Sequence, residues 1–249
     1  MIILKTPEEL EKMRRVSRVI GETLEAMKHL MKPGVRTREI DQFAEDSLRG
    51  CGVEPGFKGY RGYPATVCAS RNEVVVHGIP SDETLREGDI LSVDLGGLLD
   101  GYYGDSARTF PVGQVSPTAG RLIDTAREAL ERGIEQARVG GRLHDISWAI
   151  QSCAEKENFS VVRDYVGHGI GRSLHEDPQV PNFGQPGSGP RLREGMVLAI
   201  EPMLNAGTSD VNLKSDGWAV VTSDGMLSAH FEHTVAITEA GPDVLTRCS

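Results

Sequence analysis

One plan occurs twice along this chain and limits the choice of fold: two amphipathic helical segments, then strand-rich sequence. From Thr6 to about Lys32, residues Leu10, Met13, Val16, Ile20 and Leu24 keep helical spacing, and Lys32-Pro33-Gly34 stops the pattern. Thr6-Pro7-Glu8-Glu9 has the composition of a helix start, with a capping box and a proline in the first turn. A second helix is expected from Thr37 to Arg49. After Ser116-Pro117 the plan returns. Leu122, Ala126, Leu130 and Ile134 share one face, Gly140-Gly141 breaks the run, and another helix is expected near His144 to Lys156. The junctions carry a faint echo, Gly34, Arg36, Glu39 and Ile40 matching Gly140, Arg142, Asp145 and Ile146 at a constant offset. Segments 89–112 and 161–166 have strand character, and 196–238 reads as several strands with turns. The expectation is an α+β chain forming one domain, 1–249, from two pseudo-twofold-related halves of about 1–115 and 116–249.

Composition removes several classes of function. Asp and Glu outnumber Lys and Arg by 36 to 27, a net charge of -9, which argues against a broad phosphate-binding surface and so against nucleic-acid readout or a membrane surface. Cys51, Cys68, Cys153 and Cys248 show no C-x-x-C spacing, so they read as reduced thiols rather than a zinc site or a disulfide framework. The start of the chain lacks an apolar signal-like run, and nowhere do about 18 apolar residues stand together. A cytoplasmic monomer is expected.

The chemistry lies in acids placed inside apolar strands. Leu91-Ser92-Val93-Asp94-Leu95, Asp100-Gly101 and Tyr102 to Phe110 read as a hairpin, because Asp-Gly suits a two-residue type I′ turn. With that turn Gly96 faces Asp105 and Asp94 faces Ala107. Both aspartates then occupy one sheet face as diagonal neighbours, with Cβ atoms roughly 7 Å apart. An unpaired carboxylate in a buried strand is costly, and a cation is its natural compensation. The second half adds Glu201, after Val197-Leu198-Ala199-Ile200, and Glu232, in Phe231-Glu232-His233-Thr234-Val235. His168, in Gly167-His168-Gly169-Ile170-Gly171, offers a nitrogen donor. Four carboxylates balance two divalent cations, and oxygen-rich ligation with one imidazole suits Mn, Fe(II), Co or Zn.

In this order and spacing Asp94, Asp105, His168, Glu201 and Glu232 resemble the type I methionine aminopeptidases, and the likeness extends over nearly the whole chain. It includes Asn72-Glu73-Val74-Val75-Val76-His77-Gly78-Ile79-Pro80, the His168 segment, Asp216-Gly217-Trp218 and Phe231-Glu232-His233-Thr234. The resemblance implies the pita-bread fold, with two α/β halves around a central antiparallel sheet, and removal of the N-terminal methionine from nascent polypeptides, at the ribosome or after release. It implies that Asp94 chelates one metal, that His168 and Glu201 bind the other, and that Asp105 and Glu232 bridge the pair. Glu201 would shuttle the proton, His175 would stabilise the developing oxyanion, and His77 would contact the scissile nitrogen. Tyr60, Tyr63, Cys68, His77 and Trp218 are implied as the methionine pocket. The chain departs from common members at Phe57, where cysteine is frequent, at Leu174, where phenylalanine is frequent, and at His230, where glutamine is usual. Strand alternation puts His230 on the same face as Glu232 and points His233 elsewhere.

The rival readings are an X-Pro peptidase of the same fold, whose relatives usually carry an additional N-terminal domain, and a type II methionine aminopeptidase, whose large helical insertion has no room here. A binding protein that has lost its chemistry would lack ligands, and all five are present.

Overall fold

The structure is a computed structural model and describes residues 1–248. Four helices organise it: α1 (Pro7–Ala26), α2 (Thr37–Gly50), α3 (Pro117–Gln136) and α4 (Leu143–Lys156). The capping box at the start of α1 is formed: Thr6 Oγ1 accepts from Glu9 N at 3.3 Å, and Thr6 N donates to Glu9 Oε2 at 2.9 Å. The helical run expected to Lys32 leaves α geometry after Ala26 and tightens into a 3-10 turn, Met27–Leu30. That is a common way to satisfy terminal backbone groups before a proline.

The two junctions that echo in sequence are built alike. Gly34 and Gly140 take φ of +93° and +87°. Arg36 N donates to Glu39 Oε2 at 2.8 Å, and Arg142 N donates to Asp145 Oδ2 at 2.8 Å. Arg36 bridges to Thr84 and Arg142 to Arg191. A clearer echo follows each bridge: Leu85-Arg86-Glu87-Gly88 and Leu192-Arg193-Glu194-Gly195 lead into the strands Ile90–Leu99 and Val197–Ile200. Asp94 and Glu201 stand at the same offset after these tetrapeptides.

All the strand pairing is antiparallel. Ile90–Leu99 lies between Tyr102–Pro111 and Val67–Arg71, with the short Glu54–Pro55 on its far end. Val197–Ile200 lies between His233–Thr238 and Gly167–Gly169, and Gly241–Val244 and Glu176–Val180 form the edges. Two three-stranded sheets complete the β structure. In one, Val220–Thr222 pairs with Val74–Val76, so the second half of the chain extends a sheet begun by the first. Strand character expected over 161–166 shrinks to Ser160–Val161, because the partner Met203–Asn205 is short and offers only two residues of register there.

Each helix pair covers its own sheet. Val16, Ile20, Leu24, Ile40 and Leu48 pack with Val67, Leu91, Val93 and Leu95. Leu122, Ala126, Leu130, Ile146 and Ile150 pack with Leu198, Ile200, Val235 and Ile237. Helix α1 sits directly on backbone where Gly104 leaves room, since a Cβ there would lie 2.8 Å from Ser17 Oγ and 3.0 Å from Ile20 Cδ1. Among the described residues no helix is long and apolar enough to cross a membrane.

Candidate metal centre

The hairpin takes the register that its turn dictates. Asp100 and Gly101 have φ of +52° and +77°, and Asp94 pairs with Ala107 while Gly96 pairs with Asp105. Both carboxylates therefore share the face turned toward the second half. There Glu201 follows the strand Val197–Ile200, and Pro202, lacking an N–H, ends that ladder. His168 enters from the neighbouring strand, opposite Ala199.

A polar seam holds the halves in register at this point. Glu232 N donates to Ala107 O at 2.9 Å, and Ser106 Oγ donates to Glu232 O at 2.7 Å. The Thr234 hydroxyl accepts from Asp105 N at 3.0 Å and donates to Asp105 O at 2.7 Å. These bonds place Asp105 and Glu232 against each other across the divide. One donor atom each from Asp105, His168 and Glu232 all lie within 4.8 Å of one another. Asp94 lies on the same hairpin face as Asp105, and Glu201 Oε1 is 3.4 Å from His168 Nε2.

The electrostatics of the cluster call for cations. Burial pushes Asp94 up to about 7. Burial first, and neighbouring carboxylates second, hold Asp105, Glu201 and Glu232 well above the usual carboxylate range. Asp94 Oδ1, Asp105 Oδ1 and Glu232 Oε1 are buried without a hydrogen-bond partner among the described residues. His168 is prepared as a ligand. Burial lowers its pKa to about 3, so the ring is neutral, and its Nδ1 lies 2.9 Å from Gly169 O. A proton on Nδ1, donated to that carbonyl, leaves the Nε2 lone pair facing the acids, as a metal-binding histidine requires. The donor set fits hard or borderline divalent cations.

Beside the acids is a cavity of about 180 Å³, far above the roughly 10–15 Å³ that one water needs. Phe57, Tyr60, Tyr63, Cys68, Leu174 and Trp218 supply its apolar and aromatic wall, and His77 and His175 line it too. All thirteen site residues expected from the sequence meet in this one chamber, with Arg61 added at its lip. Phe57 lies flat against the hairpin: a Cβ on Gly96 would be 2.5 Å from its Cε1. Tyr63 Oη donates to Val67 O and Gly78 O, both at 3.0 Å, and its ring meets Trp218 edge-on at 5.1 Å.

The two histidines differ in how they are held. His77 takes φ of +60°, a strained value for a residue other than glycine, and Gly78 follows so close to the next strand that a Cβ would lie 2.3 Å from Ala69 O. Desolvation, then His175, lowers the His77 pKa to about 4, so it is neutral. His175 sits at the mouth with its ring 4.3 Å from that of His168 and its Nδ1 2.9 Å from Tyr60 Oη. Partial burial, then Arg61, lowers its pKa as well.

This chain is similar to proteins of known activity over its full length. The model of metallopeptidase family M24 matches residues 11–239. The chain belongs to this family. A methionine aminopeptidase 1 of Bacillus subtilis is 53% identical over 99% of this chain and 100% of its own length. The crystal structure of a methionine aminopeptidase from Thermotoga maritima superposes with a TM-score of 0.98, at 46% identity and 100% coverage of both chains. A prolidase from Pyrococcus furiosus superposes with a TM-score of 0.81 at 25% identity, and this chain covers 66% of it. The fold is the pita-bread fold shared by these M24 peptidases, α+β as expected.

Several residues around the M24 centre escape sequence reading. Arg61 stands between Gly59 and Gly62, and the positive φ values of all three, +88°, +49° and +91°, swing it over the chamber. The closely spaced glycines were the available signal. Tyr165 supports His77 edge-on at 5.7 Å. His230 and His233, by contrast, lie as alternation predicts: His230 is buried with Nε2 3.7 Å from Glu201 Oε2, and His233 turns aside to Thr246 Oγ1 at 2.8 Å.

Proposed function

We propose that this M24 peptidase removes the N-terminal methionine of nascent polypeptides and peptides whose second residue is small, using two divalent cations held by Asp94, Asp105, His168, Glu201 and Glu232. The observation that carries the reading is the juxtaposition of four carboxylates and a neutral imidazole with an apolar chamber sized for a side chain. Full-length similarity at 53% to a methionine aminopeptidase, against 25% to a longer prolidase, favours this over cleavage before proline.

Two divalent cations suit the charge of four carboxylates, and Mn, Fe(II), Co and Zn all accept this donor set. Asp94 would hold one ion, His168 and Glu201 the other, and Asp105 and Glu232 would serve both. Bound there, the ions would supply Lewis acidity and a nucleophilic water at neutral pH. The chain's own residues then do the rest. Phe57, Tyr60, Tyr63, Cys68, Leu174 and Trp218 enclose the methionine side chain and exclude water. Glu201 takes a proton from the attacking water and delivers it to the leaving amine. Neutral His175 donates from Nε2 to the carbonyl oxygen as charge develops there, which requires its Nδ1 to accept. Tyr60 O–H, 2.9 Å away, is the donor that sets this tautomer. His77, neutral and held rigidly, meets the scissile nitrogen.

The chain works as a single catalytic domain made of halves of about 1–115 and 116–249, as a cytoplasmic monomer acting on chains at or leaving the ribosome. Free cysteines and the acidic balance support that setting.

Turnover of Met-Ala-, Met-Leu- and Ala-Pro-starting peptides by metal-loaded protein tests the reading. Rapid release of methionine from the first, slow release from the second and no release of alanine from the third are expected. Equal cleavage of the first two would make this a broader aminopeptidase, and preference for the third an X-Pro peptidase.

A further inference from the structure

Lys5 and Glu176 form an ion pair withdrawn from water. Lys5 Nζ lies 2.5 Å from Glu176 Oε2, with 3% and 7% of the two side chains exposed. The pair joins segments far apart in the chain: the arm ahead of α1 and the loop between Gly167–Gly169 and Glu176–Val180, which carries Leu174 and His175. Neither residue lines the chamber.

Both ends of the pair are anchored. Lys5 N donates to Gly195 O at 2.7 Å, so the second half's backbone aims the ammonium, which also donates to Ile3 O at 3.3 Å. Glu176 Oε1 accepts from Ser173 N at 3.2 Å and so closes the loop around residues 174 and 175. Gly171 N donates to Ser173 O at 3.1 Å, and Gly171 O accepts from Tyr103 N at 2.8 Å. The fit is tight, since a Cβ on Gly171 would lie 2.4 Å from Lys5 Cε and 2.6 Å from Glu176 Oε1.

Taking both charges out of water opposes folding unless their contact is close and well bonded, and a hydrophobic pair of similar size would serve stability as well. What this pair secures is position. We propose that Lys5 and Glu176 are positioning residues for His175: by clamping the backbone on either side of it, they hold the imidazole at the substrate carbonyl. Tyr60 governs the ring's tautomer from the other side. The proposal rests on the role given to His175 above, and it matters because displacement of a catalytic group by a fraction of an ångström is expensive in rate.

Lys5→Met combined with Glu176→Gln removes both charges at nearly constant size and leaves no orphan ion, and the new amide oxygen can still accept from Ser173 N. With metal-saturated protein and a Met-Ala peptide, this double variant should lose about tenfold in kcat with KM within about twofold. It should bind the same metal equivalents and exchange the backbone amides of 171–176 with deuterium faster than the parent. Lys5→Arg, which keeps the charge, should retain most of kcat, and Lys5→Met alone, after which Glu176 can take up a proton and remain neutral, offers a second route with the same expected loss if the double variant folds poorly. A kcat unchanged within about twofold overturns the proposal. So does a loss of kcat matched by lost metal, which would make the pair a support of the metal centre. A parent that binds metal yet leaves Met-Ala peptides intact would instead sink the proposed function. Amide exchange needs no turnover, and equal exchange in parent and variant would still overturn the clamp.

Discussion

The two halves deliver their acids by different routes. In the first, Asp94 and Asp105 belong to one hairpin, joined through the two-residue turn Asp100-Gly101. In the second, Pro202 ends the strand after Glu201, and the chain travels through Met203–Asn205, Val211–Leu213, Val220–Thr222 and Ser228–His230 before Glu232 brings it back. Phe231 N closes this excursion on Pro202 O at 3.2 Å. Asp216 then turns the detour inward, accepting from Trp218 N at 2.8 Å and Ala219 N at 2.9 Å, and so sets Trp218 at the chamber. The compact half contributes a rigid pair of carboxylates. It also supplies Phe57, Tyr60, Tyr63 and Cys68 of the substrate wall, whereas the open half contributes a pair of carboxylates, His168, Leu174 and Trp218, and relies on the seam with the first half for its register.

The largest effect should come from breaking the pair that meets across the seam. Asp105→Asn is expected to lower metal affinity by more than about 100-fold, beyond the 10- to 100-fold range of residues that only orient ligands. His175→Ala should leave metal content intact and reduce kcat by about 100- to 1,000-fold, the range for loss of one oxyanion donor. Metal analysis of both variants beside their kinetics separates the roles. An Asp105→Asn protein with parental metal content would remove that residue from the centre.

Metal removal should expose the repulsion held between the halves. At a free metal concentration about 100 times Kd, binding contributes about 2.7 kcal/mol, or about 5–10 °C in Tm for a chain of this size. The gap should depend on pH. Without metal, Asp94 titrates at about 7 in the folded protein, above the roughly 3.9 of an unfolded aspartate, so the folded state holds the proton more tightly. That contribution is full below about pH 4 and is lost as pH rises through 7. Metal binding, which displaces those protons, strengthens over the same range. Melting curves at pH 5 and pH 8 with and without metal should therefore show the wider separation at pH 8. A constant gap would contradict the assignment of buried, raised carboxylates to the metals.

Smaller effects sharpen the comparison. Tyr60→Phe removes one hydrogen bond of about 0.5–1.5 kcal/mol and should cost about 3- to 10-fold in kcat with metal binding unchanged. A fall in metal content instead would place Tyr60 in the wrong part of the site. His230→Gln, at the closing end of the long excursion, should shift metal affinity by less than about tenfold, below the effect of residues that hold a ligand directly. Calorimetric titrations that superimpose for parent and variant would reduce His230 to a packing residue.

What the sequence by itself determined were the features set by neighbours in the chain. The Asp-Gly turn fixes hairpin register, alternation follows from register, and thus Asp94 and Asp105 could be placed on one face before any contact was known. Periodicity likewise located the four helices, to within a few residues except at the end of α1, where the run expected to Lys32 stops at Ala26. Acids inside apolar strands and a histidine among glycines pointed to Glu201, Glu232 and His168, and the resemblance of ordered motifs supplied the rest of the thirteen residues that meet in the chamber. The repeated Leu-Arg-Glu-Gly, which aligns Asp94 with Glu201, is a local pattern too, but it stood out only once the two junctions were superposed in the fold. Only the tertiary structure decided which partners close the site. The hydroxyl of Thr234 bridging Asp105, Tyr60 on His175, His230 beside Glu201 and Lys5 beneath the His175 loop all join residues remote in sequence. No local pattern encodes such pairs. Each depends on two halves coming to rest at one relative position, and hydrophobic packing of α1 and α2 on one sheet and α3 and α4 on the other sets that position as a whole.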